Sequence, residues 1–181
     1  MLNDSDSVSQ QQTDNPITVI EREKSFVALT RGTIKSEEAI NFLTTPESGA
    51  INLFLGITRQ DEIDSHGIVT GQISSLYYES YEGMAVKMIS RIVEHAIIKF
   101  KLDKCYVIHR LGLVKVCEAS LLIGCSSPHR QAAHEATLYL LNQIKKLIPI
   151  WKKINDSEES LQPSYSTWST RSEAFWLPRS S

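Results

Sequence analysis

Residues 105–147, CYVIHRLGLVKVCEASLLIGCSSPHRQAAHEATLYLLNQIKKL, decide the fold. Cys105–His109 and Ala119–Cys125 are short apolar runs that read as two strands linked by a turn around Gly112. Ser127-Pro128 then opens a helix, a capping residue followed by proline at the first helical position. Its core stripe is Ala133, Ala136, Leu140, Leu141, Ile144 and Leu147, and Pro149 ends it. Adjacent strands joined by a short turn and covered by an amphipathic helix place the chain in the α+β class.

Upstream, Ala85, Met88, Ile89, Ile92, Val93, Ala96, Ile97 and Phe100 recur at three- and four-residue steps, which predicts a second long amphipathic helix. Leu76–Tyr81, Ala50–Leu55 and Phe26–Leu29 read as strands. Ser36 is the expected N-cap of a short helix that stops near Thr44, with Glu37 and Glu38 complementing the dipole. Thr58–Gly71 is polar and reads as a long exposed loop. Residues 1–16 are expected to be a disordered leader, residues 17–154 a single catalytic domain, and 155–181 a Ser-rich tail that docks in part through Trp168, Phe175 and Trp176.

The chain has 181 residues, 41% of them hydrophobic, with 19 Lys+Arg against 21 Asp+Glu for a formal charge of −2. That length suits one core, and the balance argues against a dedicated nucleic-acid partner. No apolar run approaches the ~18 residues of a membrane span. Three cysteines (Cys105, Cys117, Cys125) without a CxxC suggest neither a disulfide framework nor a zinc ribbon, and with no secretory or transit segment the chain reads as cytosolic. His66, His95 and His134 lack metal-ligand spacing, so no metal or resident cofactor is expected.

The charge is uneven. Between His129 and Lys153 the cations Arg130, Lys145, Lys146, Lys152 and Lys153 face only Glu135, a local net of +4. Ser126-Ser127-Pro128-His129-Arg130 puts a His and an Arg at a helix start, where free N–H groups and the dipole favour an anion. Lys145 and Lys152 flank the apolar Ile148–Trp151, where desolvation and neighbouring cations lower a lysine pKa; a snorkelling lysine on apolar surface is the plain alternative. Arg59, at a strand exit, is a third anion ligand candidate. A Cys125 thiolate nucleophile near His129 is a separate enzymatic alternative. If one helix joins His129 to Lys145, the 16 intervening steps put them about 24 Å apart. Either they serve different sites, or a symmetric dimer shares one.

In order and spacing, Gly49-Ala50 with Gly56-Ile57-Thr58-Arg59, Glu79–Met84, Val107–Gly112, Ser126–Arg130, and Lys145 with Pro149–Lys153 resemble the MoaE family, the large catalytic subunits of molybdopterin synthase. The Ile-Trp-Lys-Lys form and the tail around Trp176 are similar to eukaryotic members. The resemblance implies an α/β hammerhead fold with a mostly antiparallel sheet and a homodimer at the centre of a heterotetramer. It implies a small ubiquitin-like partner at each end, whose Gly-Gly thiocarboxylate supplies sulfur for the dithiolene made from cyclic pyranopterin monophosphate. Carried over by position, Lys145 and Lys152 are the expected catalytic residues. Ile57, Thr58, Arg59, His129, Arg130, Lys145, Lys152, Lys153 and Ile154 are the expected substrate-binding set, with His129 and Arg130 coming from the other protomer. The acidic Gln60–Asp64 replaces an Asn- and Gly-containing loop of many members, which leaves that loop's contacts open. A dimeric scaffold that binds a ubiquitin-like tail without turnover is the non-enzymatic alternative.

Overall fold

The computed structural model describes residues 16–63 and 66–155. The expected leader, apart from Pro16, and the expected tail aromatics lie outside them. The elements run β1 (Pro16–Arg22), β2 (Ser25–Thr30), α1 (Ser36–Leu43), β3 (Ala50–Ile57), β4 (Asp61–Ile63), β5 (Val69–Gln72), β6 (Ser75–Ser80) and α2 (Glu82–Phe100). They continue with β7 (Lys104–Arg110), β8 (Gly112–Lys115), β9 (Ala119–Ser127), α3 (Arg130–Leu147) and β10 (Ile150–Asn155). The fold is α+β, as the sequence implied.

The main sheet has five strands in the order β1-β2-β7-β9-β3, antiparallel except for the parallel β2–β7 pair. Its central strands read as near-continuous apolar runs because they are covered on both faces. Val27, Leu29, Cys105, Val107, Leu121, Ile123 and Cys125 point to one side, where α2 and α3 pack with Ile89, Val93, Ala136, Leu140 and Ile144. The alternate residues Ala28, Tyr106, Ile108 and Leu122 meet Ala39 and Leu43 of α1. There, α1 approaches so closely that a Cβ on Gly124 would lie 2.5 Å from Leu43 Cδ1 and 2.8 Å from Leu53 Cδ2.

A second sheet, β10-β6-β8, stands beside the first, and β4 and β5 form a hairpin. Four local expectations change. The loop expected over Thr58–Gly71 contains the β4–β5 hairpin; Ile63, Val69 and Thr70 carry enough β preference to pair, and Ile73 N–H closes onto the Gln60 carbonyl at 2.6 Å. The turn expected around Gly112 opens a strand, β8, which leaves the main sheet and pairs with β6. Ser36 is the first helical residue of α1, and the N-cap is Lys35, without a side-chain cap bond. The helix expected to open at Ser127-Pro128 starts at Arg130, with His129 as N-cap: pairing of Ser127 with Ala50 keeps Ser127 in β9 and Pro128 outside the helix.

Candidate active site

Strand β3 and helix α3 divide the expected site residues between two ends of the molecule. β3 begins beside the end of β9, with Ala50 opposite Ser127, and finishes beside its start, with Ile57 opposite Ala119. Seven steps along a strand cover about 23 Å. Helix α3 leaves the Ser127 end and runs back over β9 and β3, so its last turn returns toward the Ile57 end.

The near end holds His129 and Arg130, both exposed at the helix start, with no acidic residue in its first turn. Ser127 Oγ donates to the His129 carbonyl at 2.8 Å, fixing the chain ahead of the helix rather than capping its N–H groups. Gly49 packs against the same bend; a Cβ there would lie 2.4 Å from the Pro128 carbonyl oxygen.

Ile57, Thr58, Arg59 and the α3 terminus with Lys145 lie toward the far end. Arg59 is exposed and folds over the hairpin, its Nε–H donating to the Asp61 carbonyl at 2.8 Å and an η-nitrogen to the Ile63 carbonyl at 3.4 Å. The acidic segment thus engages Arg59 through backbone oxygens. Thr58 is buried at the strand exit, where β3 and β9 slip register between Gly56 and Ile57.

Lys152 reaches this end through β10, a strand that sequence reasoning missed. It pairs with Tyr78 across the β10–β6 ladder, and paired residues share a face. Tyr78 OH contacts Ser120 Oγ at 3.5 Å, and Ser120 Oγ donates to the Gly56 carbonyl at 3.3 Å. Burial pushes the Tyr78 hydroxyl above its ordinary pKa, so it stays a neutral phenol at physiological pH. This chain of contacts links the Lys152 strand to the residue three before Arg59. Lys153 has the opposite parity and lies on the face of Glu79, which it meets at 3.5 Å with a side chain only 12% exposed. Ile154 shares the Lys152 face. The run Ile150–Asn155 has no apolar/polar alternation, so β10 carried no local strand signal.

Cys125 is fully buried and its Sγ lies 4.0 Å from that of Cys105, its cross-strand partner. The contact with Cys125, reinforced by burial, pushes the Cys105 thiol well above its usual range. A pair sealed in the core does not meet a substrate, which removes the Cys125 nucleophile alternative. Among the described residues no cluster of His, Cys, Asp and Glu is arranged to hold a metal ion, and no helix is long and apolar enough to cross a membrane.

A family model described as MoaE protein matches residues 29–147. The chain is 36% identical over 162 residues to the human molybdopterin synthase catalytic subunit, covering 90% of this chain and 80% of that one. It is also 36% identical over 125 residues to the Bacillus subtilis protein of the same name, covering 69% and 76%. Overall identity therefore does not sort the chain with eukaryotic or bacterial relatives. Molybdopterin synthase from Staphylococcus aureus superposes with a TM-score of 0.69 at 26% identity, covering 82% of this chain and 98% of that one. A complex of subunits 1 and 2 of the molybdopterin-converting factor of Helicobacter pylori matches at 0.61 and 19% identity, covering 79% and 89%, which speaks for the fold alone.

Proposed function

The chain belongs to the MoaE family, and from that premise we propose that it is the catalytic subunit of a molybdopterin synthase, a sulfurtransferase of molybdenum cofactor biosynthesis. Its partner is a small ubiquitin-like subunit with a C-terminal thiocarboxylate, and its substrate is cyclic pyranopterin monophosphate. The observation that carries the assembly is the separation of the cations. One helix of 18 residues holds His129 and Arg130 at its start and Lys145 in its last turn, so one protomer cannot close all of them on one small substrate. A symmetric pair, with one protomer's helix start meeting the other's Arg59, Lys145 and Lys152, completes two equivalent sites.

The chemistry gives each group a task. The thiocarboxylate sulfur attacks the pterin side chain, and opening of the cyclic phosphate places negative charge on a phosphate oxygen. Arg59, His129 and Arg130 are the donors for that charge. Water then cleaves the acyl–sulfur bond, returning a carboxylate to the partner and leaving sulfur on the substrate; a second thiocarboxylate attacks the neighbouring side-chain carbon, whose oxygen leaves as water, and its acyl–sulfur bond is hydrolysed in the same way. Lys145 serves proton transfer or stabilises the tetrahedral centre of that cleavage, and Lys152, held beside Tyr78, adds the second cation. Thr58 and Ile57 shape the pocket floor, and Ile154 follows on the Lys152 face. Lys153, paired with Glu79, supports the strand.

Dithiolene formation from thiocarboxylated small subunit and cyclic pyranopterin monophosphate tests this directly. Wild type should yield product, and Lys145→Ala should lose roughly 100-fold or more in rate. Absence of product with wild type, or a mutant that matches it, rejects the reading. A scaffold without turnover would bind the tail equally well in both and produce nothing in either.

A further inference from the structure

An ion pair with a buried guanidinium and a half-buried carboxylate, Arg110–Glu118, is not used by the proposed chemistry. Arg110, the last residue of β7, has a side chain only 6% exposed, and its guanidinium donates to Glu118 at 3.0 Å. Glu118 Oε2 also accepts the Lys115 backbone N–H at 3.0 Å. The carboxylate therefore ties both ends of the Lys115–Glu118 turn to the end of a core strand. The turn is closed by Glu118 N–H on the Lys115 carbonyl at 3.0 Å and passes through Cys117 in the left-handed region, at φ 69°.

This turn grips Thr58 on both backbone groups. Thr58 N–H donates to the Glu118 carbonyl at 3.0 Å, and Cys117 N–H donates to the Thr58 carbonyl at 2.8 Å. The grip sits just past the register slip at Gly56/Ile57, where the ladder with β9 loses its regular hold on β3. The direction in which the chain carries Arg59 out of the sheet is thus set by the turn rather than by continued strand pairing. Such a pair adds little net stability, while removal of the Glu118 carboxylate leaves the buried Arg110 charge uncompensated; its best use is to fix geometry.

We propose that the Arg110–Glu118 pair is a positioning device for Arg59, acting through the Lys115–Glu118 turn and Thr58 to aim the guanidinium at the substrate phosphate. It rests on the proposed function for the identity of that phosphate. Neither residue touches the substrate; each acts through Arg59.

A double-mutant cycle on the full-length protein reads this out. Binding of cyclic pyranopterin monophosphate is measured by calorimetry for wild type, Glu118→Gln, Arg59→Ala and the double variant. Glu118→Gln should weaken binding on the order of tenfold in the wild-type background and add nothing once Arg59 is gone. Arg110→Lys should recover most of the affinity lost in Arg110→Met. Additive losses, or equal losses in Arg110→Lys and Arg110→Met, overturn the proposal. Amide exchange separates this failure from failure of the functional reading. If wild type binds no pterin, the substrate assignment is wrong, yet the positioning claim still requires Thr58 and Cys117 amides to exchange at least tenfold faster in Glu118→Gln while Ile89 and Val93 of α2 keep their protection. Unchanged exchange at Thr58 overturns it.

Discussion

Thr58 Oγ1 is buried and has no hydrogen-bond partner among the described residues. A hydroxyl in that condition costs stability, and its replacement by an isosteric methyl is neutral or favourable by up to about 1 kcal/mol. Thr58→Val should therefore leave the denaturant midpoint unchanged or raised. Chemical denaturation checks this; a midpoint clearly below that of wild type would show that the hydroxyl contributes to the folded state after all. His109 gives the opposite kind of prediction. It is buried against Tyr78, and its Nδ1 lies 2.8 Å from the Arg110 carbonyl. Burial lowers its pKa to about 4, the bond to the carbonyl only partly offsetting the effect. The folded state then resists a proton that the unfolded chain accepts near 6.5, so the contribution is complete above that pH and drains away as pH falls toward 4. The span corresponds to about 3 kcal/mol. Urea midpoints between pH 7 and 4 should fall more steeply in wild type than in His109→Phe; parallel slopes would exclude His109 as the source.

At the scale of elements, the start of α3 depends on a residue outside it. Gly49 lies where a side chain would strike the Pro128 carbonyl at 2.4 Å, backbone against backbone, so Gly49→Ala must displace either the β3 entry or the bend that leads to His129. Ser127 holds the same bend from within. The variant should raise KM for the phosphate substrate severalfold with a smaller change in kcat, because the task proposed for His129 and Arg130 is binding rather than proton transfer. Steady-state kinetics decides, and a loss confined to kcat would contradict the assignment. The same bend shows where a sequence reading stops. The long helices were legible because Ile89, Val93, Ala96, Ala136, Leu140 and Ile144 repeat with the helical period, and that signal is local. The start of α3 was misplaced because Ser127 satisfies two rules at once, cap and strand end, and only the distant Ala50 decides between them. Likewise, charge masked the β4–β5 hairpin, and β8 was hidden because its partner is β6, more than thirty residues away. Of the candidate site residues, Arg59, His129 and Lys145 stand beside elements that the sequence marks, while Lys152 stands on β10, which it does not. The opposite facing of Lys152 and Lys153 was not legible either, since it requires the register with Tyr78 and Tyr77.

For the whole molecule, the formal charge of −2 hides a division of labour. The first sixteen residues contribute −3 and the segment from His129 to Lys153 contributes +4, yet that positive segment is stretched along α3 so that its two ends cannot act together in one chain. The S. aureus synthase shares this fold along 98% of its own length, so the separation comes from the architecture and not from an inserted segment. A shared site makes a quantitative prediction that a self-contained site cannot. Homodimers of His129→Ala and of Lys145→Ala each carry two defective sites. When the two chains are unfolded together, refolded and allowed to pair at random, half of the dimers are mixed. In each mixed dimer one site receives both substitutions, and the other combines an intact helix start from one protomer with an intact lysine from its partner. Activity should therefore recover to about a quarter of wild type under random pairing. If each protomer held a complete site, every site in the mixture would keep one substitution and no recovery would follow. Two differently tagged chains, purified through both tags, isolate the mixed dimer, and its activity per dimer should rise to about half that of wild type.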